Sequence, residues 1–140
     1  MDNAIFTPML AMMLLTLLVW VYLFVKRVPF LQAANIPNDE LTAAKLAEIS
    51  PPAVINPSDN LKNLFELPVV FYALCLYLSV TNTADTTHLA AAWVFVVFRY
   101  LHSLMHCTIN IVLARFGLYL ISSLALWFMV LRAGMTQLTS

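Results

Sequence analysis

Charge, glycine and cysteine are all scarce in this sequence. Seven basic and seven acidic side chains among 140 residues give a net charge of zero without a basic block, so we expect no nucleic-acid partner. With two glycines, the chain has no glycine-rich loop of the kind that cradles phosphates. The two cysteines, Cys75 and Cys107, lie in apolar runs without paired spacings, which predicts buried thiols and rules out a disulfide framework.

Apolar residues dominate what remains. They make up 62% of the chain, and the mean hydropathy is +0.86, which is too high for a soluble domain of this length. The run from Ala4 to Val25 contains no charge and is long enough to cross a bilayer. We therefore predict an all-α, multi-pass integral membrane protein, a four-transmembrane-helix bundle in a single domain spanning residues 1–140. Its predicted parts are helices at about 4–25, 61–81, 89–113 and 116–131, with a loop at 26–60.

The loop contains five prolines, and we predict a short surface helix within it, capped by Asn38 and ending near Ile49. Pro68 is predicted to bend the second span, because proline lacks the amide donor of a helical turn. Basic residues set the orientation by the positive-inside rule, which makes the loop cytoplasmic and places both termini outside. The basic residues on the loop side are Lys26, Arg27, Lys45, Lys62 and Arg115, whereas the opposite side has Arg132.

Polar residues interrupt the third and fourth spans at helical spacing. Arg99, His102, His106 and Asn110 follow i, i+3, i+7 and i+11, which places them on one helix face. A second polar stripe on the fourth span comprises Arg115, Tyr119 and Ser122. Charged side chains inside a membrane cost about 2.5–3.5 kcal/mol on insertion scales, so they tend to face a bundle interior or a wet cavity. This pattern predicts a ligand site between membrane helices.

The predicted orientation brings three helix ends to the cytoplasmic face. The residues expected to gather there are Lys62, Asn63, Glu66, His106, Asn110, Arg115 and Tyr119. Arg99 is expected to lie deeper. An alternative is that Glu66 and Arg99 form a buried ion pair that fixes helix register without any ligand. His102 and His106 could share a cation, but the sequence supplies no H-E-x-x-H motif, second histidine pair or cysteine pair, so we expect no metal.

Three short motifs occur in a fixed order: N-L-F-E-L-P at 63–68, R-Y-L-H-S-L-M-H at 99–106 and R-F-G-L-Y at 115–119. In this order and spacing the chain resembles the MAPEG family, the membrane-associated proteins in eicosanoid and glutathione metabolism, and within it the microsomal glutathione transferases. The resemblance implies a homotrimer of four-helix subunits that binds glutathione as co-substrate between neighbouring subunits, near the cytoplasmic face.

The resemblance also implies roles for individual residues. Arg115 would be catalytic, because it would stabilise the glutathione thiolate. The remaining residues implied to bind glutathione are Lys62, Asn63, Glu66, Arg99, His102, His106 and Tyr119. The sequence departs from the family pattern at Asp59, where glutathione-binding relatives carry a basic residue, and at His106, where some relatives carry tyrosine.

The function implied is that of a glutathione-dependent transferase or peroxidase acting on hydrophobic electrophiles. One alternative is a non-catalytic lipid-binding or scaffold trimer, which the acidic Asp59 favours. Another is a small transporter or a proton relay through Arg99, His102 and Glu66. The expected partners are the lipid bilayer, other copies of the chain and a small hydrophobic substrate, and the expected location is a bacterial inner membrane.

Overall fold

A computed structural model describes residues 4–37 and 39–139, and within these ranges the chain forms helices and no strand. There are six helices in this described part. They are α1 (Phe6–Ala34), α2 (Ala43–Ile49), α3 (Pro52–Leu64), α4 (Leu67–Val80), α5 (Thr86–Cys107) and α6 (Val112–Thr139).

Four segments are long and apolar enough to cross a membrane: Phe6–Ala34, Pro52–Val80, Thr86–Cys107 and Val112–Thr139. The second segment combines α3 and α4. The predicted all-α fold with four spans is thus confirmed. Large apolar side chains cover the outside of the bundle, as expected where lipid rather than water is the solvent.

The second span is broken next to Pro68, as predicted. Helix α3 ends at Leu64 and α4 begins at Leu67, so Phe65 and Glu66 lie between them. Pro68 cannot donate to the carbonyl of Leu64 and its ring collides with it, so the chain tightens instead, with the Phe65 N–H donating to the Lys62 carbonyl over 2.9 Å. Because of this break, Glu66 lies outside the regular helix, immediately before the start of α4.

The helices extend further than the sequence predicted. Helix α1 continues past residue 25 to Ala34, and α6 runs from Val112 to Thr139 instead of 116–131. The loop predicted at 26–60 is correspondingly too long, because α3 begins at Pro52. The charges at the ends of the apolar runs mark where the bilayer core ends, but the helical hydrogen bonds continue beyond it. Proline at the first position of α3 favours a helix start, whereas the sequence reading treated it as a breaker.

The connection between α1 and α3 carries the short helix α2. Asn38, its predicted cap, lies outside the described residues. In the structure α2 starts later, at Ala43, and the Thr42 hydroxyl caps it by accepting from the Lys45 N–H over 3.2 Å. The predicted end of this helix at Ile49 is confirmed.

The centre of the bundle is an apolar core in which α5 contacts α1, α3 and α6. The rings of Phe71 and Phe95 stack with their centroids 4.5 Å apart, joining α4 to α5. Met12 on α1 and Leu126 on α6 are fully buried in the same core. Below this apolar layer α5 carries the buried polar residues that shape the site.

At the opposite end of α5 the Asp85 side chain caps the helix by accepting from the His88 N–H over 2.8 Å, and it also accepts from Arg132 on α6. The pKa of the Asp85 carboxyl is held at about 2, below its ordinary 3.8, mainly by the His88 backbone bond and with a smaller contribution from the Arg132 guanidinium. Because the pKa is depressed in the folded state, this stabilisation is present above about pH 4 and is lost as the pH falls towards 2.

We predict that Asp85→Ala lowers the melting temperature of the detergent-solubilised protein at pH 7, since loss of a helix cap costs about 1 kcal/mol. Asp85→Asn should cost less, because asparagine also caps. The gap between wild type and Asp85→Ala should narrow on acidification below pH 4. An Asp39→Ala variant, changed at an exposed turn, serves as the control. A gap that is the same at pH 7 and at pH 2.5 would contradict the assigned role.

Candidate functional site

A cleft of about 290 Å³ opens between the α3–α4 break, α5 and the first two turns of α6. We call it the polar cleft. Its lining residues are Asn63, Glu66, His102, Val112, Arg115, Phe116 and Tyr119. Five of the eight residues predicted to form the site therefore lie around one space. The remaining three are Arg99, His106 and Lys62.

Arg99 lies behind the wall of the polar cleft and is completely buried. Its guanidinium carbon is 4.8 Å from the centre of the Tyr119 ring and 5.5 Å from that of Phe95. None of its three guanidinium nitrogens has a hydrogen-bond partner among the residues that the structure describes. The two rings and the charge of Glu66 balance this buried cation only in part, so an anionic ligand nearby would stabilise it.

The alternative of a structural ion pair between Glu66 and Arg99 fails. The Glu66 side chain is exposed, and the two residues form no salt bridge in the structure. Glu66 instead lines the mouth of the polar cleft, while Arg99 lies at its back. The polar cleft thus lies between Glu66 and Arg99, which do not pair directly.

Two histidines on α5 follow Arg99. His102 lines the polar cleft with its ring centre 6.0 Å from that of Tyr119, and its Nδ1 has no partner within the described part of the chain. His106 is buried one turn further along, with Nδ1 3.5 Å from the Asn63 amide nitrogen. Their rings stand edge to face at 5.6 Å. Among residues 4–37 and 39–139 no group of three or more His, Cys, Asp or Glu side chains is placed to hold a metal ion.

Three asparagines on α3 join it to α5 and to the turn that follows α5, and the sequence analysis missed two of them. Asn56, Asn60 and Asn63 follow i, i+4 and i+7, so they share a face. The Asn60 amide is completely buried; it accepts from the Ser103 hydroxyl over 3.3 Å and donates to the Cys107 sulfur over 3.5 Å. This helical spacing could have predicted a shared face, but the prolines around the three asparagines favoured a loop. These contacts hold Asn63 at the cleft.

Asn110 is not on the helical stripe predicted for it. Helix α5 ends at Cys107 rather than 113, and Asn110 adopts a left-handed conformation with φ of 52°. Asparagine tolerates this conformation better than other residues with a side chain. From this turn its amide oxygen accepts from Arg115 Nη1 over 2.7 Å, while its nitrogen donates to Asn56 over 3.2 Å. Asn110 thus fixes Arg115 at the start of α6.

Lys62 lies outside the polar cleft. Its ammonium group is paired with Asp59 one turn back on α3 at 2.9 Å, and its side chain is 74% exposed. Asp59 therefore holds Lys62 on the outer side of α3, away from the lining of the polar cleft. Lys62 could bind a ligand in the polar cleft only if its ion pair with Asp59 were broken.

The polar cleft offers complementary charges to a small zwitterion with an excess of negative charge. Glu66 can pair with an ammonium group, Arg115 with an anion, and the Asn63 amide with a peptide group. Arg99 adds a positive charge behind the Tyr119 ring, which separates it from the cleft. Exposed Phe116 and Val112 give one side of the cleft an apolar surface.

Comparison with protein families gives one match: the model of the MAPEG family covers residues 5–135, nearly the whole chain. Comparisons with curated proteins and with solved structures give no significant match.

Proposed function

This chain belongs to the MAPEG family, and we propose that it is a glutathione-dependent transferase or peroxidase acting on small hydrophobic electrophiles. The observation that carries the proposal is the convergence of Asn63, Glu66, His102, Arg115 and Tyr119 on one cleft at a helix break. Family membership supports a role in eicosanoid or glutathione metabolism, and the charges of this cleft favour the glutathione branch.

In the proposed complex the Glu66 carboxylate binds the ammonium group of glutathione, and the Asn63 amide binds its peptide backbone. The two carboxylates of glutathione leave it with net negative charge, which the buried Arg99 balances. The ligand would thus supply the compensation that Arg99 lacks in the protein itself. Tyr119 contacts the tripeptide from the wall between Arg99 and His102.

Arg115 is the proposed catalytic residue. Its guanidinium stabilises the glutathione thiolate, while the thiol proton leaves to water. In the transferase reaction the thiolate attacks an electrophilic carbon, a C–S bond forms from the sulfur lone pair, and the bond to the leaving halide breaks with its electrons. Asn110 fixes the guanidinium for this step through the 2.7 Å hydrogen bond. A hydrophobic co-substrate reaches the sulfur laterally, past Phe116.

The active form we propose is a homotrimer with its loop side in the cytoplasm. Glu66, Phe116 and Val112 are exposed on the subunit surface, so the polar cleft is open on one side. A neighbouring copy of the chain is well suited to close it. Burying Glu66 in this way keeps its charge away from lipid, where it would be costly.

Asp59 is expected to weaken glutathione binding, because it holds Lys62 away and repels carboxylates. We predict that Asp59→Asn raises glutathione affinity by a factor of about 1.4 to 5, which corresponds to the loss of an exposed ion pair worth about 0.2–1 kcal/mol. Titration calorimetry measures this change. Glu48→Gln is the matched control, since Glu48 also pairs with a lysine three residues away, Lys45, at 3.7 Å. Equal affinities in Asp59→Asn and wild type would show that Lys62 takes no part.

The same ion pair favours a second candidate function, a non-catalytic lipid-binding trimer. Purified protein assayed with a generic aryl halide separates the two. We expect glutathione-dependent turnover that cysteine, a thiol without the tripeptide frame, does not support. Equal rates with cysteine and glutathione, or no turnover with either, would remove the enzyme proposal and favour the lipid-binding one.

A further inference from the structure

A second polar cavity lies outside the polar cleft, between the C-terminal part of α1, the short helix α2 and one face of α3. It has a volume of about 290 Å³. Its polar lining comes from Arg27, Ser50, Ser58, Asp59 and Lys62, and its apolar lining from Ala43, Leu46, Ala47 and Ile55. We call it the surface cavity. No residue of the surface cavity lines the polar cleft.

Arg27 is the principal charge in the surface cavity. One guanidinium nitrogen, Nη2, donates to the Ser58 hydroxyl over 2.9 Å, while Nε is buried without a hydrogen-bond partner in the described ranges. The Ser50 hydroxyl, where the chain enters α3, is likewise buried and unpaired in these ranges. Arg27 Nε and the Ser50 hydroxyl are therefore two buried donors of one cavity without an acceptor in the described chain. Buried donors normally have a hydrogen-bond partner.

The charge balance of the surface cavity is positive. Asp59 is neutralised by Lys62 at 2.9 Å, whereas Arg27 forms no ion pair with any residue that the structure describes. One net positive charge thus remains, and Lys62 has further donors to offer, since an ammonium group has three. An anion with several acceptor oxygens matches this set better than a carboxylate, which offers two.

The position of the surface cavity relates it to the membrane surface. Arg27 follows Lys26, the first charged residue after the apolar run that ends at Val25, where the hydrocarbon core gives way to headgroups. Leu46 and Ile55 provide an apolar wall beside the charged one. The cavity is thus amphipathic at the depth where lipid phosphates lie.

We propose that the surface cavity binds a phosphate group, either that of an anionic phospholipid or that of a free phosphate ester. Arg27 donates from Nε and Nη2 as a fork, Ser50 donates its hydroxyl, and Lys62 contributes a third positive contact. Binding at this point ties α2 to the ends of α1 and α3. This proposal does not depend on the one for the polar cleft.

The test uses the full chain in a neutral detergent and measures melting temperature with three probes: short-chain phosphatidylglycerol, short-chain phosphatidylcholine and glycerol phosphate. We expect phosphatidylglycerol to bind at least tenfold more tightly than phosphatidylcholine. If glycerol phosphate stabilises the protein equally, the ligand is a free phosphate ester; if it has no effect, the ligand is a lipid. Stabilisation by none of the anionic probes, or equally by phosphatidylcholine, would overturn the proposal.

Variants locate the binding. Arg27→Gln should weaken phosphatidylglycerol binding about tenfold, and Ala47→Phe, which fills the cavity without removing charge, should do the same. Ala44→Phe and Lys45→Gln, changed on α2 outside the cavity, should leave binding unchanged. Since Ala47→Phe and Ala44→Phe add the same bulk to the same helix, equal affinity in these two variants would place the phosphate elsewhere.

Discussion

Arg115→Ala should lower glutathione-dependent turnover about 30-fold at pH 7. A free thiol with a pKa of about 8.5 is roughly 3% ionised at that pH, so an enzyme that holds its bound thiol fully ionised gains about that factor. The loss should shrink to about twofold or less at pH 9, where the free thiol ionises without help. The measurement is a pH–rate profile with an aryl halide at saturating glutathione.

Two variants make this result specific. Arg115→Lys keeps a positive charge but loses the planar group that donates to Asn110, so it should recover part of the rate. Arg132→Ala removes an arginine near the opposite end of the bundle and should leave the profile unchanged. A uniform loss at every pH in Arg115→Ala would show that Arg115 positions substrate instead of favouring the thiolate.

Arg99→Met should stabilise the ligand-free protein and weaken glutathione binding at the same time. The guanidinium is fully buried without a hydrogen-bond partner in the described chain, so it carries a desolvation cost that an apolar side chain of similar length avoids. A charge about 8 Å from an anion contributes about 2 kcal/mol at an effective dielectric constant of 20. We therefore expect affinity to fall about 30-fold.

Thermal unfolding with and without glutathione shows both effects. Without ligand, Arg99→Met should melt above wild type; at high glutathione the order should reverse, because only wild type gains the full binding energy. Ser122→Ala is a suitable control, since Ser122 is equally buried but its hydroxyl bonds within its own helix, to the Tyr119 carbonyl at 2.7 Å. A variant that is destabilised without ligand and binds glutathione normally would make Arg99 purely structural.

The polar residues in and behind the polar cleft could be predicted from the sequence because polar side chains are rare in membrane spans. Arg99, His102 and Arg115 stand out in apolar spans, and helical spacing places Arg99 and His102 on one face of α5. Pro68 likewise predicted the helix break that leaves Glu66 outside α3 and α4. In each case one large energetic cost limits the structures that the chain can adopt. For the arginines and the histidine it is the cost of a polar group in lipid, and for Pro68 it is the missing amide donor.

The sequence was less informative at the membrane surface, where several solutions cost about the same. Residues 52–60 contain prolines and polar groups that suit a loop as well as a helix, and only packing of Val54 and Asn60 against the bundle decides for the helix. The Lys62–Asp59 pair was equally hidden, because sequence spacing allows the contact but does not require it.

The account depends most directly on whether the polar cleft binds glutathione. Isothermal titration of glutathione into the purified protein in neutral detergent tests this. We predict saturable binding to wild type that falls tenfold or more in Glu66→Gln, which keeps the shape of the side chain but removes the partner of the ammonium group. Absence of saturable binding to wild type, or equal affinity in Glu66→Gln, would contradict the account.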